Sequence, residues 1–448
     1  MNNKKYIYIK TWGCQMNEYD SFIIKEIFNK KKYILTKNPK IANIIIVNTC
    51  SIREKAKEKL FHQLGRWKKL KIKNKKLIIA VGGCVASQER KKIFKRTHLV
   101  DIIFGTQTIH NLPKLIKKHK KKKKKIIQIK KPNLKKFKFF PKKPMYQSSS
   151  FVSIIEGCNK YCSFCIVPYS RNREISRNYK NILEEIYFLT KKGVKEITLL
   201  GQNVNSYKII KKNHIICDFS ELLFKISKIK KIKRIRFTTS HPAEFNKKMI
   251  KMYKKIPKLV NTIHLPVQSG SDKILKKMKR NYTIKEYEKI IKKLKSIRPN
   301  ISITSDFIVG FPGETEKDFK KTIKLVKRIN FDSSFSFIYS PRPKTHATKL
   351  KDNINLIEKK KRLYILQKIL RKQTNRWSKK MIGSVQKVLV YAFNPKNNLK
   401  LLGKTENNRI VSFKGTRRMI GKLINVKINY AHMQSLKGFI EEKRIKNT

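Results

Sequence analysis

Three cysteines stand close together in the run Cys158-Asn-Lys-Tyr-Cys162-Ser-Phe-Cys165. Soft thiolates at this spacing suit zinc or an iron–sulfur cluster. A zinc finger normally completes its four ligands with a second pair nearby, and none follows here. Three thiolates around a four-iron cube leave one iron without a protein ligand, open to a substrate as the free position of a catalytic zinc is. Three further cysteines, Cys14, Cys50 and Cys84, have no local motif. They follow the runs YIYIKTWG, IIIVNT and LIIAVGG respectively. Singly, each would pass for a small buried hydrophobe. Each lies just past a short apolar run that reads as a parallel strand, and such strand ends converge on one edge of a sheet, where ligands bind. A second three-thiolate site is therefore expected. Gly13, Gly82 and Gly83 would let the backbone approach a bulky inorganic core. Cys217, in an apparent loop without a partner motif, reads as a spare thiol.

The elements that must position these thiols fall into three textures. Tyr6–Lys10, Ile44–Asn48 and Leu77–Val81 are compact apolar runs separated by helical patterns such as Tyr19–Asn29 and Arg53–Leu70, an alternation that predicts an open parallel α/β sheet. Lys117–Lys125 is nearly pure lysine and runs into a Pro/Lys-rich stretch, so residues 121–143 read as a basic linker. A second alternation then begins. The expected strands are Phe151–Glu156, Glu196–Gly201, Arg234–Thr239, Thr262–Val267, Ile303–Val309 and Ser334–Ile338. Helical patterns separate them, for example Asn181–Lys192, Phe219–Ile229, Tyr282–Ile297 and Glu316–Ile329. Six such units predict a (β/α)6-type partial or complete parallel barrel whose first strand leads into Cys158, at the face where barrel enzymes carry their chemistry. Finally, Val385–Tyr391, Leu401–Thr405, Ile410–Phe413 and Leu423–Tyr430 are short runs punctuated by Gly and Asn, which suit a small antiparallel β-barrel.

At 448 residues, with 40% hydrophobic and 10% aromatic residues, the chain is long enough for about three packed domains and is not intrinsically disordered. No apolar run approaches the roughly 20 residues of a membrane helix, and nothing after Met1-Asn-Asn-Lys-Lys reads as a secretory signal. A cytoplasmic protein without membrane contact is expected, and in that compartment seven cysteines point to metal ligands or catalysis rather than disulfides. The net charge of +82 would attract phosphate. Yet only 20 of the 110 cationic residues are Arg, and Lys, Ile and Asn are abundant throughout. An AT-biased genome would produce the same excess, so charge alone does not identify a partner.

Taken together, the motifs are similar to those of the methylthiotransferase family of radical S-adenosylmethionine (SAM) enzymes, and the resemblance spans nearly the whole chain. CxxxCxxC with an aromatic before its last cysteine resembles the radical SAM signature, in the segment Glu156–Pro168. Thr11–Ser21, Asn48–Arg53 and Gly82–Cys84 look like the family's N-terminal domain, and Trp377–Glu442, with Gly403–Arg409, like an RNA-binding TRAM barrel. Leu199–Asn205, Thr238–Pro242, Leu265–Ser271, Asp306–Thr315 and Ser336–Ser340 resemble the branch acting on isopentenylated adenosine. The resemblance implies domains at 4–120, 144–375 and 377–442. It implies two 4Fe-4S clusters, a radical SAM cluster on Cys158, Cys162 and Cys165 and an auxiliary, sulfur-supplying cluster on Cys14, Cys50 and Cys84. It implies that one SAM methylates a cluster sulfur and a second yields the radical that removes hydrogen from carbon 2 of N(6)-isopentenyladenosine at position 37 of tRNA. Carbon 2 has no acidic hydrogen, so base catalysis would not serve there. Partners implied are the tRNA anticodon stem-loop and a flavodoxin- or ferredoxin-like electron donor, with a monomeric enzyme. Sister enzymes acting on a ribosomal-protein aspartate or on threonylcarbamoyl-adenosine tRNA share these features, and a cluster-stabilised RNA-binding module is the non-enzymatic alternative.

Other residues are expected near the chemistry from their strand-end positions. Gly201, Gln202 and Asn203 are candidate SAM contacts, with a plain turn as the alternative. Ser240, His241, Gln268 and Gly310–Glu314 sit at similar ends, His241 before Pro242 reading equally as a structural turn. Lys404, Arg409, Lys414, Arg417 and Arg418 are candidate phosphate contacts, with Phe413 to stack on a base. The family usually has Arg-Pro-Gly-Thr-Pro-Ala after the sixth strand. Here Arg342-Pro-Lys-Thr-His-Ala347 stands instead, so a different loop shape is expected if it packs near substrate.

Overall fold

The structure, a computed structural model, describes residues 4–50, 54–129, 144–145, 148–395 and 397–441. The N-terminal domain runs β1 (Lys5–Trp12), α1 (Gln15–Asn29), β2 (Tyr33–Leu35), β3 (Ile44–Thr49), α2 (Glu54–Lys73), β4 (Ile78–Gly83), α3 (Cys84–Glu89), α4 (Lys91–Arg96), β5 (Ile102–Phe104), α5 (Leu112–Lys122) and β6 (Ile126–Gln128). Its six strands pair in parallel in the order β2-β1-β3-β4-β5-β6. Every residue of β3 and β4 is buried. Ile44, Ile46, Ile78 and Ala80 face α1 and α5 on one side, and Ile45, Val47, Ile79 and Val81 face α2 and α3 on the other. A continuous Ile/Val run is what a sheet covered on both faces requires.

The sheet extends into the stretch expected as a linker. The lysines of 117–122 belong to α5, which buries Leu112, Leu115 and Ile116 while its lysines stay in water, and Ile126–Gln128 adds the sixth strand against β5. Residues 130–143 of the expected linker, and Ser51–Arg53 of the Asn48–Arg53 motif, lie outside the described residues.

The central domain begins with β7 (Ser149–Ser153) and β8 (Ile155–Glu156), then α6 (Val167–Arg171), β9 (Ile175–Ser176), α7 (Tyr179–Lys191) and β10 (Glu196–Leu200). A hairpin of β11 (Lys208–Lys211) and β12 (His214–Asp218) precedes α8 (Phe219–Ser227), β13 (Arg234–Phe237), α9 (Lys247–Lys255), β14 (Thr262–His264), α10 (Asp272–Lys277), α11 (Ile284–Ile297), β15 (Ser302–Val309), α12 (Glu316–Ile329), β16 (Ser334–Ile338) and the long α13 (Leu356–Lys379). Two parallel triplets, β7-β10-β13 and β14-β15-β16, are joined by a parallel bridge between Ile235 and Leu259. They form a six-unit partial barrel around one apolar core, which α13 closes with Leu366 and Leu370. Capping boxes start α8 at Asp218/Glu221, α11 at Thr283/Glu286 and α12 at Thr315/Asp318, each satisfying helix N–H groups that would otherwise lack partners. Cys217 is not in a loop. It lies on β12 with its side chain sealed in the barrel core.

The C-terminal domain closes as a barrel of β17 (Val385–Asn394), β18 (Asn397–Lys404), β19 (Ile410–Lys414), β20 (Leu423–Ala431) and β21 (Ser435–Ile440) in the order β17-β18-β19-β21-β20. All pairings are antiparallel except β19–β21, which is parallel. The barrel is pinned to the amino ends of the central strands. Arg234 donates to Lys404 O at 2.9 Å, Arg236 to Glu406 O at 2.8 Å, and Asn261 N to Glu406 Oε2 at 2.9 Å.

Candidate active site

In the N-terminal sheet the connection direction reverses between β1 and β3, and ligands of such sheets collect outside the carboxyl ends at that reversal. Cys14 follows β1, Cys50 follows β3 and Cys84 opens α3 after β4. The strands meet so closely there that only glycine fits beside them. At Gly13 (φ +142°) a Cβ would lie 2.6 Å from Cys50 Cβ, and at Gly83 (φ +90°) it would lie 2.3 Å from Thr49 O. Cys50 is hydrogen-bonded to both Cys14 and Cys84. Hydrogen bonding from Cys50 brings Cys14 down to about 7 and Cys84 to about 6, with the Arg171 charge helping against burial, while Cys50 itself is pushed up. Cys14 and Cys84 also sit at helix starts, where backbone N–H groups favour a thiolate. Behind them, Cys14 Sγ lies 3.3 Å from Asn17 Oδ1, Asn17 Nδ2 donates to Asn48 Oδ1 at 3.2 Å, and Asn48 Nδ2 donates to Ser21 Oγ at 2.9 Å.

The second triad occupies the loop from β8 to α6. Gly157 (φ +85°) admits it, since a Cβ there would meet Arg173 O at 2.1 Å. Cys158 N donates to Asn172 O at 3.2 Å and Cys165 N to Cys162 O at 2.9 Å, curling the loop that carries the three thiols. Burial pushes Cys158 up to about 11 and Cys165 to about 12. Arg280, fully buried, donates to Cys162 Sγ at 3.5 Å and to Pro266 O at 2.8 Å. Ala347 N donates to Ser163 O at 2.8 Å, so the 342–347 loop does pack against this cysteine loop. Lys344 takes φ +70°, the conformation that favours glycine, and Thr345 N closes the turn on Arg342 O at 3.1 Å. The lysine is accommodated by strain at a left-handed position.

One side chain links the first triad to the strand that leads into the second. Arg171, the last residue of α6, donates Nε–H to Cys84 Sγ at 3.3 Å, and its Nη atoms pair with Glu156 and with Asp20 of α1, each at 3.0 Å. Gln107, beyond β5, donates to Arg171 O at 3.0 Å and accepts from Asn172 Nδ2 at 2.9 Å. The domains share apolar packing as well, for Phe151 and Leu200 of the barrel are buried in the N-terminal core.

Both triads fit an iron–sulfur cluster by donor chemistry. Each offers three soft thiols, a glycine-made recess, and a buried guanidinium to offset the negative charge of a thiolate-bound cluster. Among the described residues no three His, Cys, Asp or Glu side chains converge as a site for a single metal ion.

The remaining expected contacts divide sharply. Gly201 is a packing glycine, because a Cβ there would meet Ile155 Cγ2 at 2.3 Å. Gln202 Oε1 accepts from Gly157 N at 2.6 Å, bracing the cysteine loop, and Asn203 Nδ2 donates to Glu244 at 2.5 Å. Gln268 (φ +71°) bridges strand ends through Asp306 O and Ile308 N. His241 caps its turn, with Nδ1 accepting from Ala243 N at 3.3 Å, and burial beside the Arg280 charge lowers it to about 2. Its Nε2, together with Ser240 Oγ and Asn203 Oδ1, is buried without a hydrogen-bond partner. Glu314 accepts from Gly310 N at 2.7 Å and pairs with Arg362 at 2.9 Å, so its carboxylate holds the turn. Two RNA-contact expectations are overturned. Arg409 is buried in a bidentate pair with Asp332, and Phe413 is sealed in the barrel core, because alternate residues of β19 point inward. Sequence reasoning missed Asn17, Asp20, Arg171 and Arg280. The first two lay within the Thr11–Ser21 motif, while nothing local marked the arginines.

Fold and site together define an iron–sulfur enzyme of the parallel partial-barrel class, with a second thiol-rich domain docked at the carboxyl edge of its strands. Residues 152–326 match the Radical SAM superfamily, 6–105 the uncharacterized protein family UPF0004, and 379–440 the TRAM domain. The chain is 60% identical to the tRNA-2-methylthio-N(6)-dimethylallyladenosine synthase of Buchnera aphidicola subsp. Acyrthosiphon pisum (strain APS), over 97% of this chain and 99% of that protein. Against the synthase of the same name from Photorhabdus laumondii subsp. laumondii the identity is 52%, over 98% and 92%. Among solved structures, the radical S-adenosylmethionine methyltransferase TsrM from Kitasatospora setae shares the fold at a TM-score of 0.56 and 11% identity, covering 77% of this chain and 75% of that one. The chain belongs to the tRNA-2-methylthio-N(6)-dimethylallyladenosine synthase family.

Proposed function

We propose that this protein converts N(6)-dimethylallyladenosine at position 37 of tRNA to its 2-methylthio derivative, with Cys158, Cys162 and Cys165 holding the radical SAM 4Fe-4S cluster and Cys14, Cys50 and Cys84 an auxiliary one. Two three-thiol recesses on facing strand ends, bridged by Arg171, carry the reading. When bound, the clusters and SAM supply one-electron chemistry and a sulfur source. The protein's own residues do the rest. The thiols bind as thiolates, so loading the barrel triad must displace protons that burial holds at Cys158 and Cys165. Arg280 and Arg171 offset the resulting charge, and Gln202 fixes the loop at Gly157.

The tRNA is bound across the C-terminal barrel. With Arg409 committed to Asp332, a cleft of about 690 Å³ lined by Lys400, Ser412, Lys414, Tyr430, Lys437 and Phe439, and reached by the nearly buried Phe413, suits phosphates and an unpaired base. Tyr430 and Phe439 are about half exposed, and Lys437 Nζ lies 5.1 Å from the Tyr430 ring centre. The reading further takes the protein as a cytoplasmic monomer drawing electrons from a flavodoxin- or ferredoxin-like donor. Among the described residues no helix is long and apolar enough to cross a membrane.

The test is nucleoside mass spectrometry. Protein reconstituted anaerobically with iron and sulfide is given SAM, a reductant and isopentenylated tRNA lacking the methylthio group. A gain of the methylthio mass on that adenosine is expected. Release of 5′-deoxyadenosine without it would move the substrate to that of a sister enzyme, and neither product from fully loaded protein would leave an RNA-binding module.

A further inference from the structure

Arg171 stands at an unusual junction. It belongs to the radical SAM domain, six residues past Cys165, yet its Nε–H points across the domain boundary to Cys84, a thiol 87 residues away. Its other arms are both committed. Nη1 pairs with Glu156, two residues before Cys158, and Nη2 pairs with Asp20, which follows Cys14 on α1. All three side chains are almost wholly removed from water. A guanidinium fork held by two carboxylates cannot swing away, so the N–H···S contact has a fixed direction. The backbone of the same residue is tied to the N-terminal domain through Gln107, and α6 packs on α3, the helix that Cys84 begins. Beside the Gln107–Asn172 bond and the shared apolar packing, Arg171 thus ties the two thiol loops together without itself binding a cluster.

We propose that Arg171 is a positioning residue that couples the two cluster sites: its hydrogen bond to Cys84 sets the reduction potential of the auxiliary cluster, and its ion pairs fix that cluster against the radical SAM loop. The inference rests on the two-cluster reading above. Hydrogen bonds and positive charge beside cluster sulfur stabilise the more negative, reduced state, so they raise the potential. Arg280 makes the corresponding contact to Cys162 from within its own domain. Arg171 alone spans both domains in this way among the described contacts to the cluster thiols.

The experiment uses the full chain carrying Cys158→Ala, Cys162→Ala and Cys165→Ala, which leaves only the auxiliary site to load. Its cluster is reconstituted anaerobically and its midpoint potential measured by titration monitored with electron paramagnetic resonance. Adding Arg171→Met is expected to move the midpoint to a more negative value at unchanged iron and sulfide content. Arg171→Met strands two buried carboxylates, so Arg171→Lys is measured beside it. A lysine keeps the charge but cannot reach Cys84, Glu156 and Asp20 together. It is expected to shift the midpoint in the same direction by a smaller amount. Cys217→Ala in the same background should leave the midpoint where it was. A lysine variant that loads fully and titrates with the parent overturns the proposal. If the triple-alanine background takes up no cluster at all, the two-cluster reading fails and takes this proposal with it.

Discussion

Replacing Arg409 by methionine should loosen the C-terminal barrel from the central domain. The guanidinium is buried and donates to Asp332 at 2.6 and 2.8 Å and to Ser378 Oγ at 2.8 Å. Asp332 is itself buried and would keep only Ser302 Oγ, at 2.6 Å, among these donors. Removing one partner of a buried pair costs roughly 3–5 kcal/mol, because the survivor is left charged and uncompensated. Asp332 retains one good donor, so the lower end, about 3 kcal/mol, is expected for Arg409→Met, and a similar loss for Asp332→Asn. The double variant carries no stranded charge and should lose much less than the sum, leaving a coupling of at least about 2 kcal/mol. Urea unfolding of the full chain reports these differences through Trp377, whose indole donates to Asn330 O at 3.1 Å beside the pair. Additive losses, or single variants within about 1 kcal/mol of the parent, would show that the pair does not hold the barrel in place.

Further outcomes follow from other residues. Cys217→Ala should lower stability by about 1 kcal/mol by emptying a small core volume, while activity per loaded cluster stays at the parent level; a dead variant would mean that the ligand assignment is wrong. His241, lowered in the fold to about 2 against 6.5 unfolded, takes up its proton only on unfolding as pH falls below 6.5. Stability should therefore drop with acid, by about 2 kcal/mol at pH 5 from this group alone, and the urea midpoint of His241→Gln should fall correspondingly less between about pH 7.5 and 5. Lys344→Gly should raise stability by about 1 kcal/mol in the same unfolding assay, since it relieves a left-handed lysine. Tyr430→Ala with Phe439→Ala should weaken tRNA binding by about 1–3 kcal/mol per lost stacking contact, read by filter binding at fixed salt, whereas unchanged affinity would place the RNA on another face.

Two of the three strands that carry the cysteines were legible because fully buried parallel strands favour continuous apolar runs, and β3 and β4 open with Ile-Ile-Ile-Val and Ile-Ile-Ala-Val. The TRAM barrel was legible as short strands broken by Gly and Asn, although its last strand, Ser435–Ile440, is too polar to announce itself. Helices α9 and α13 take the places that six strand–helix units require after β13 and β16, with lysines filling their solvent faces. β6 was missed because its three residues are set behind a lysine tract.

At the site, type and spacing alone marked all six thiols, since a thiolate is a ligand wherever the chain puts it and strand ends of a parallel sheet share an edge. What the neighbours do was decided by tertiary structure. Arg409 and Phe413 have the chemistry of RNA contacts, yet the closing of the barrel turns both inward, one to Asp332 and one to the core. Arg171 is one of 20 arginines in a strongly basic chain. Its partners Cys84 and Asp20 lie 87 and 151 residues away, a distance over which no local pattern operates, and only the docking of two domains makes it the residue that ties Cys84 to Glu156, two residues before Cys158.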